Sequence, residues 1–121
     1  MGLDTSLYKQ KIKPEIEQVF DKLVGNSEEI KEIEYWRKNY NLVDWFENLF
    51  GEMENTEYYE VTEDIFLAWL EALETGKLVY APFGDDEESA TIEMKKDIEM
   101  IKKILKETDF NKYKFYIWSW W

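Results

Sequence analysis

The sequence predicts an α+β fold, with three to four helices packed on a small, mainly antiparallel sheet that includes the N- and C-terminal strands. Three observations lead there. Apolar residues recur at helical spacing in interior segments, above all Ile65, Trp69, Ala72 and Leu73, and Met94, Ile98, Ile101 and Leu105. Both ends of the chain read as strands, with loose alternation over residues 3–12, where a helix reaching back through Tyr8 is the competing reading, and a run of β-forming residues over 113–121. The glycines are isolated and mark the ends of elements rather than a phosphate-binding loop. A length of 121 residues corresponds to a single globular domain, residues 1–121.

The elements follow in order. After the first strand, Pro14 suits the first turn of a helix carrying Ile16, Val19, Phe20, Leu23 and Val24, with Gly25 as its stop. Asn26 and Glu29 have capping-box spacing and open the next segment. Residues 34–50 are expected to form the central core helix. Tyr35, Leu42, Phe46 and Leu49 would share one face, with Trp45 beside them and Trp36 and Val43 on a flanking face. Gly51 closes it, and residues 58–61 form a short extended piece.

Thr62 followed by Glu63 and Asp64 is an N-cap signature for the next helix, which Gly76 ends. Residues 77–82 read as a brief strand or extended loop, stopped by Pro82 and Gly84. The last helix starts acidic and ends in Lys102, Lys103 and Lys106, matching its dipole. In the terminal strand Tyr113, Phe115 and Ile117 face one way and Tyr116, Trp118 and Trp120 the other. Such a strand either lies inside the sheet or keeps one face for a partner.

Composition narrows the function. With no histidine and no cysteine, imidazole-based catalysis, triads, disulfides and thiolate metal sites are excluded. Consecutive carboxylates at Asp85, Asp86, Glu87 and Glu88 point in different directions, so no metal and no cofactor is expected. No apolar run spans a membrane and none resembles a signal peptide, so a cytoplasmic protein is expected. The net charge of −12 is concentrated in residues 25–76, where fourteen acids face Lys31, Arg37 and Lys38. That distribution argues against direct nucleic-acid binding and suits a partner with a basic surface. Aromatics make up 17 % of the chain, enough for some to serve as interface anchors.

Several motifs together resemble a family of small phage and prophage proteins. They are Met-Gly-Leu-Asp at the start, Tyr35-Trp-Arg-Lys-Asn39 followed by Trp45-Phe46, Tyr58-Tyr59-Glu-Val, Phe83-Gly84, and the Phe115-Tyr116 to Trp120 ending. The similarity spans most of the chain, and Tyr-Trp-Arg-Lys-x is its most specific part. Tyr40 and Asn41 depart from the family spacing, a histidine expected soon after is absent, and Ile117-Trp-Ser-Trp replaces a polar close. The resemblance implies a phage-encoded accessory protein with an α+β fold and carries no chemistry with it.

The expected function is that of a non-enzymatic, acidic phage protein acting in the host cytoplasm. It would bind and inhibit a host protein, such as a defence nuclease of the CRISPR effector type, by presenting a nucleic-acid-like negative surface. Glu52, Glu54, Glu57, Glu60, Glu63 and Asp64 would contact that partner. Two alternatives stay open. One is a nucleotide-signal sponge that binds its ligand with Tyr35, Trp36, Arg37 and Lys38, since arginine supplies paired donors and rings supply stacking faces. The other is a virion structural or assembly protein associating through the aromatic tail. A homodimer is a separate candidate for the chain's own association.

Overall fold

The computed structural model describes residues 3–12, 30–80 and 87–121. The helix expected after Pro14, the Asn26 capping box, the Phe83-Gly84 motif with Pro82, and Asp85 and Asp86 lie outside the described residues. The described chain runs β1 (Asp4–Lys11), β2 (Ile30–Arg37), α1 (Tyr40–Phe50), β3 (Tyr58–Glu60), α2 (Glu63–Thr75), α3 (Glu87–Glu107) and β4 (Tyr113–Trp120). The four strands make one antiparallel sheet in the order β2-β1-β4-β3, with the first and last strands at its centre. The expected α+β class, with both terminal strands in the sheet, is therefore what forms.

Alternation gives the sheet a core face. Leu3, Thr5 and Leu7 of the β1 region, Trp36 of β2, and Phe115, Ile117 and Ser119 of β4 are all buried. The three described helices share one core with that face. Trp69 sits at its centre, with ring centroids 5.1 Å from Phe46, 5.8 Å from Trp36 and 6.0 Å from Phe66. Phe66 in turn meets Phe115 edge to face at 5.0 Å, tying α2 to the sheet. Thr5 and Ser119 are cross-strand partners, and their buried hydroxyls satisfy each other at 3.1 Å.

α2 starts and stops as its sequence requires. The Thr62 side chain accepts from the Ile65 N–H, Glu63 and Asp64 fill the first turn, and Gly76 takes the left-handed conformation that ends the helix. Its buried stripe is Phe66, Trp69, Ala72 and Leu73. α3 buries Ala90, Asp97, Ile101 and Ile104. Residues 77–80 form no strand, yet Leu78 and Tyr80 are buried beneath the helices.

The central helix over residues 34–50 is a correction. Residues 30–37 are instead the edge strand β2, paired along β1. The chain turns at Lys38, a non-glycine residue with φ of 56°, whose N–H donates to the Leu3 carbonyl at 2.6 Å. Asn39 then caps α1, accepting from the Leu42 N–H at 3.4 Å. Of the predicted helical face only Leu42 and Phe46 are buried, while Tyr35 and Leu49 are exposed. Ladder bonds to β1 outweighed the helical spacing, which extended across the strand–helix junction by coincidence.

Candidate protein-interaction surface

The expected partner-binding acids fall in one continuous segment at the β3 margin of the sheet: Glu52, Glu54 and Glu57 in the loop before β3, Glu60 in β3 itself, and Glu63 and Asp64 in the first turn of α2. The loop is held by its own backbone. Gly51, at φ of 84°, ends α1 and donates to the Glu47 carbonyl at 2.8 Å. The Thr56 N–H donates to the Ser119 carbonyl at 2.8 Å. The Asn55 side chain donates to the Trp121 carbonyl at 3.0 Å and accepts from the Trp121 N–H at 2.9 Å. The Tyr59 hydroxyl accepts from the Glu54 N–H at 2.7 Å. These contacts fix the loop against the end of β4.

Glu52, Glu54, Glu57, Glu60, Glu63 and Asp64 are all exposed. Among the described residues only Glu60 of the six is in an ion pair, 3.5 Å from Lys114.

Beside this margin lies the sheet face turned away from the helices described above. The strand registers place Asp4, Ser6, Tyr8 and Gln10 of β1, Tyr116, Trp118 and Trp120 of β4, Tyr58 and Glu60 of β3, and Glu32, Tyr35 and Arg37 of β2 on it. Tyr58 sits 5.7 Å from Tyr8, 6.3 Å from Tyr116 and 6.4 Å from Trp118, ring centroid to centroid. Tyr35, Tyr58 and Trp120 are about half exposed, at 47 %, 49 % and 54 %. From the sequence, only the β4 rings could be put on a common face. Tyr8, Tyr35 and Tyr58 join them through strand order, which no local pattern discloses.

The four residues Tyr35, Trp36, Arg37 and Lys38 are not brought together. Strand alternation turns Trp36 into the core, 1 % exposed, while Tyr35 faces outward and its hydroxyl donates to Asp4. Arg37 and Lys38 are exposed near the strand's end. A cleft of 590 Å³ between the sheet and α3 is lined by none of the four.

Sequence reasoning missed Asp97. It is fully buried in α3, and one of its carboxylate oxygens accepts from the Trp36 indole N–H at 2.7 Å and from the Tyr80 hydroxyl at 2.6 Å. The other oxygen, Oδ1, is buried without a partner among the described residues. Burial pushes its pKa up to about 7 against the opposing effect of these two hydrogen bonds, and the charges of Glu34 and Glu93 add to the rise. Burial, then the Asp97 charge, raises Tyr80 well above its ordinary value. The available signal was an acid placed three residues after Met94, inside the apolar stripe of the helix. Asp97 lies on the core side of the sheet and serves the fold rather than the outer surface.

No helix among the described residues is long and apolar enough to cross a membrane. Comparison with protein-family models, with curated proteins and with solved structures found no match to this chain.

Proposed function

We propose that this chain is a non-catalytic interaction protein that occupies a basic surface of another protein, one that otherwise holds nucleic acid. A host defence nuclease, such as a CRISPR effector, is the partner class that the phage-like motifs suggest. The observation that carries this reading is that Glu52, Glu54, Glu57, Glu60, Glu63 and Asp64, in and around the edge strand β3, are all exposed, with half-exposed Tyr58 and Trp120 on the same edge strand and on its neighbour β4. Carboxylates steer a basic partner in and exclude nucleic acid, while rings supply the apolar contact area that holds a complex. A surface of this sign repels phosphate backbones, so the nucleic acid itself is not the ligand.

The test is retention from host-cell lysate on the immobilised full chain, at low and at high salt. The control is a variant with all five of these glutamates changed to Gln together with Asp64→Asn. A nucleic-acid-handling protein should be retained at low salt, released as ionic strength rises, and bound at least roughly tenfold more weakly by the variant. Added chain should also inhibit that protein's nuclease activity. Equal retention by the variant, or retention of no nucleic-acid-handling protein at all, overturns the reading.

A further inference from the structure

The outer face of the sheet is not flat. Between β1 and β2 it holds an open trough of 620 Å³, lined by Ser6, Tyr8, Glu32 and Tyr35 among others. Its origin is a slip in strand pairing. Ser6 is opposite Tyr35 and Tyr8 is opposite Glu32, with a register shift between Leu7 and Tyr8. Two residues two apart on β1 thus oppose two residues three apart on β2, and Ile33 is the extra residue. A bulge of this kind spreads the side chains of the bulged strand and re-aims them. Here it opens a gap between an exposed tyrosine ring and a carboxylate.

We propose that this trough receives an arginine side chain from the partner protein. The inference rests on the reading of the chain as a binder of basic proteins and names the group that it recognises. The Tyr35 ring, 47 % exposed, and the half-buried Tyr8 ring offer faces to stack on. Glu32 is exposed on the same face, with one oxygen accepting from the Ser6 hydroxyl at 3.0 Å. That bond orients the carboxylate and leaves it acceptor capacity for a forked donor.

A planar guanidinium satisfies both demands, stacking on a ring while its N–H groups pair with a carboxylate. A lysine ammonium is more strongly hydrated and stacks less well. The charge around the trough fits a cation too. Asp4, Glu32 and Glu60 share the face; of the described cations on it, Lys114 lies 3.5 Å from Glu60, and Arg37 is the cross-strand neighbour of Asp4 at the end of the strand. The tyrosine cluster of Tyr8, Tyr58 and Tyr116 continues from the trough toward the acidic margin, so one arginine-rich segment can run across both.

The experiment titrates the full chain with an oligo-arginine and an oligo-lysine peptide of equal length, read by tryptophan fluorescence and by calorimetry. The arginine peptide should bind roughly tenfold more tightly than the lysine peptide, the range that cation–π contact and forked pairing supply. Tyr35→Leu should abolish that preference, and Glu32→Gln should weaken both peptides. Both residues are exposed, so both variants should fold, and their thermal melts confirm it.

Equal binding of the two peptides, lost only in the six-site amide variant, overturns the arginine trough while leaving the acidic binder intact. Absence of binding by either peptide overturns both. Concentration-dependent self-association abolished by Tyr35→Leu would put a second copy on the face and overturn the proposal. Tighter binding of a single-stranded oligonucleotide than of either peptide would do the same.

Discussion

Changing Asp97 to Asn should shift stability in the variant's favour as pH rises from acid to alkaline. The charged carboxylate is fully buried among Trp36, Tyr80 and the α3 backbone, with Glu34 and Glu93 adding negative charge nearby and Lys96 drawn to Glu34 at 3.3 Å. Its pKa in the folded chain is about 7, against an ordinary value of 3.8. Between those values the folded state binds a proton that the unfolded state does not, so stability falls as pH rises through this window and levels off above it. At 1.36 kcal/mol per pH unit the gap corresponds to at most about 4 kcal/mol. Asn imitates the protonated acid, because its carbonyl oxygen can take both the Trp36 and Tyr80 hydrogen bonds that one Asp97 oxygen now accepts. Urea unfolding of both proteins, followed by tryptophan fluorescence at constant ionic strength, gives the difference directly. Glu93, itself raised by burial, titrates in both proteins, and its charge and that of Asp97 act on each other, so the difference reports Asp97 together with that coupling. Relative to the parent, the variant should gain on the order of 3–4 kcal/mol between pH 4 and pH 8, offset at every pH by about 1–3 kcal/mol because its amide NH2 takes the buried, unpartnered place of Oδ1. A difference between variant and parent that does not grow between pH 4 and pH 8 refutes a buried, destabilising charge at this position.

Two further expectations concern the core. Trp69→Ala empties the space shared by Trp36, Phe46 and Phe66 and should cost about 3–5 kcal/mol, a large part of a small domain's stability, measured by the urea midpoint. Thr5→Val and Ser119→Ala should each cost about 1–3 kcal/mol by stranding the other hydroxyl, whereas the double variant should cost less than the sum, shown by a double-mutant cycle.

Local signals were enough for the elements whose boundaries are chemical. Thr62 with Glu63 and Asp64, Gly76, and the 94–105 stripe marked two helices correctly because capping and amphipathic spacing act over a few residues. β4 was legible from its β-forming composition. Residues 34–37 were not, because adjacent Tyr35 and Trp36 fit a helix flank and a strand equally well, and only the β1 partner chose between them. The same cause undid the grouping of Tyr35, Trp36, Arg37 and Lys38, since consecutive residues on a strand point to opposite faces. Glu52, Glu54, Glu57, Glu60, Glu63 and Asp64 were visible in the sequence as a run of acids, and each of them is exposed. The tyrosines that flank them come from three strands, and their meeting is a property of the sheet order.

The two faces of the sheet use different aromatic residues, and the difference bears on what the outer face meets. On the core side Phe46 and Phe66 pack on Trp69, Phe115 packs on Phe66, and the polar atoms of Trp36 and Tyr80 are paired with Asp97. The outer face carries Tyr8, Tyr35, Tyr58, Tyr116, Trp118 and Trp120 and, among the described residues, no phenylalanine. Hydroxyls and indole N–H groups let such rings face water before a complex forms and still bury large areas within it. Phenylalanine there would leave an apolar patch prone to indiscriminate association. A symmetric contact between two copies across this face would bring the same carboxylates, Asp4, Glu32 and Glu60, toward one another. Like charges in that arrangement raise the cost of self-association, whereas a partner carrying arginines lowers it. The aromatic surface and the surplus of acid around it therefore favour the same kind of occupant.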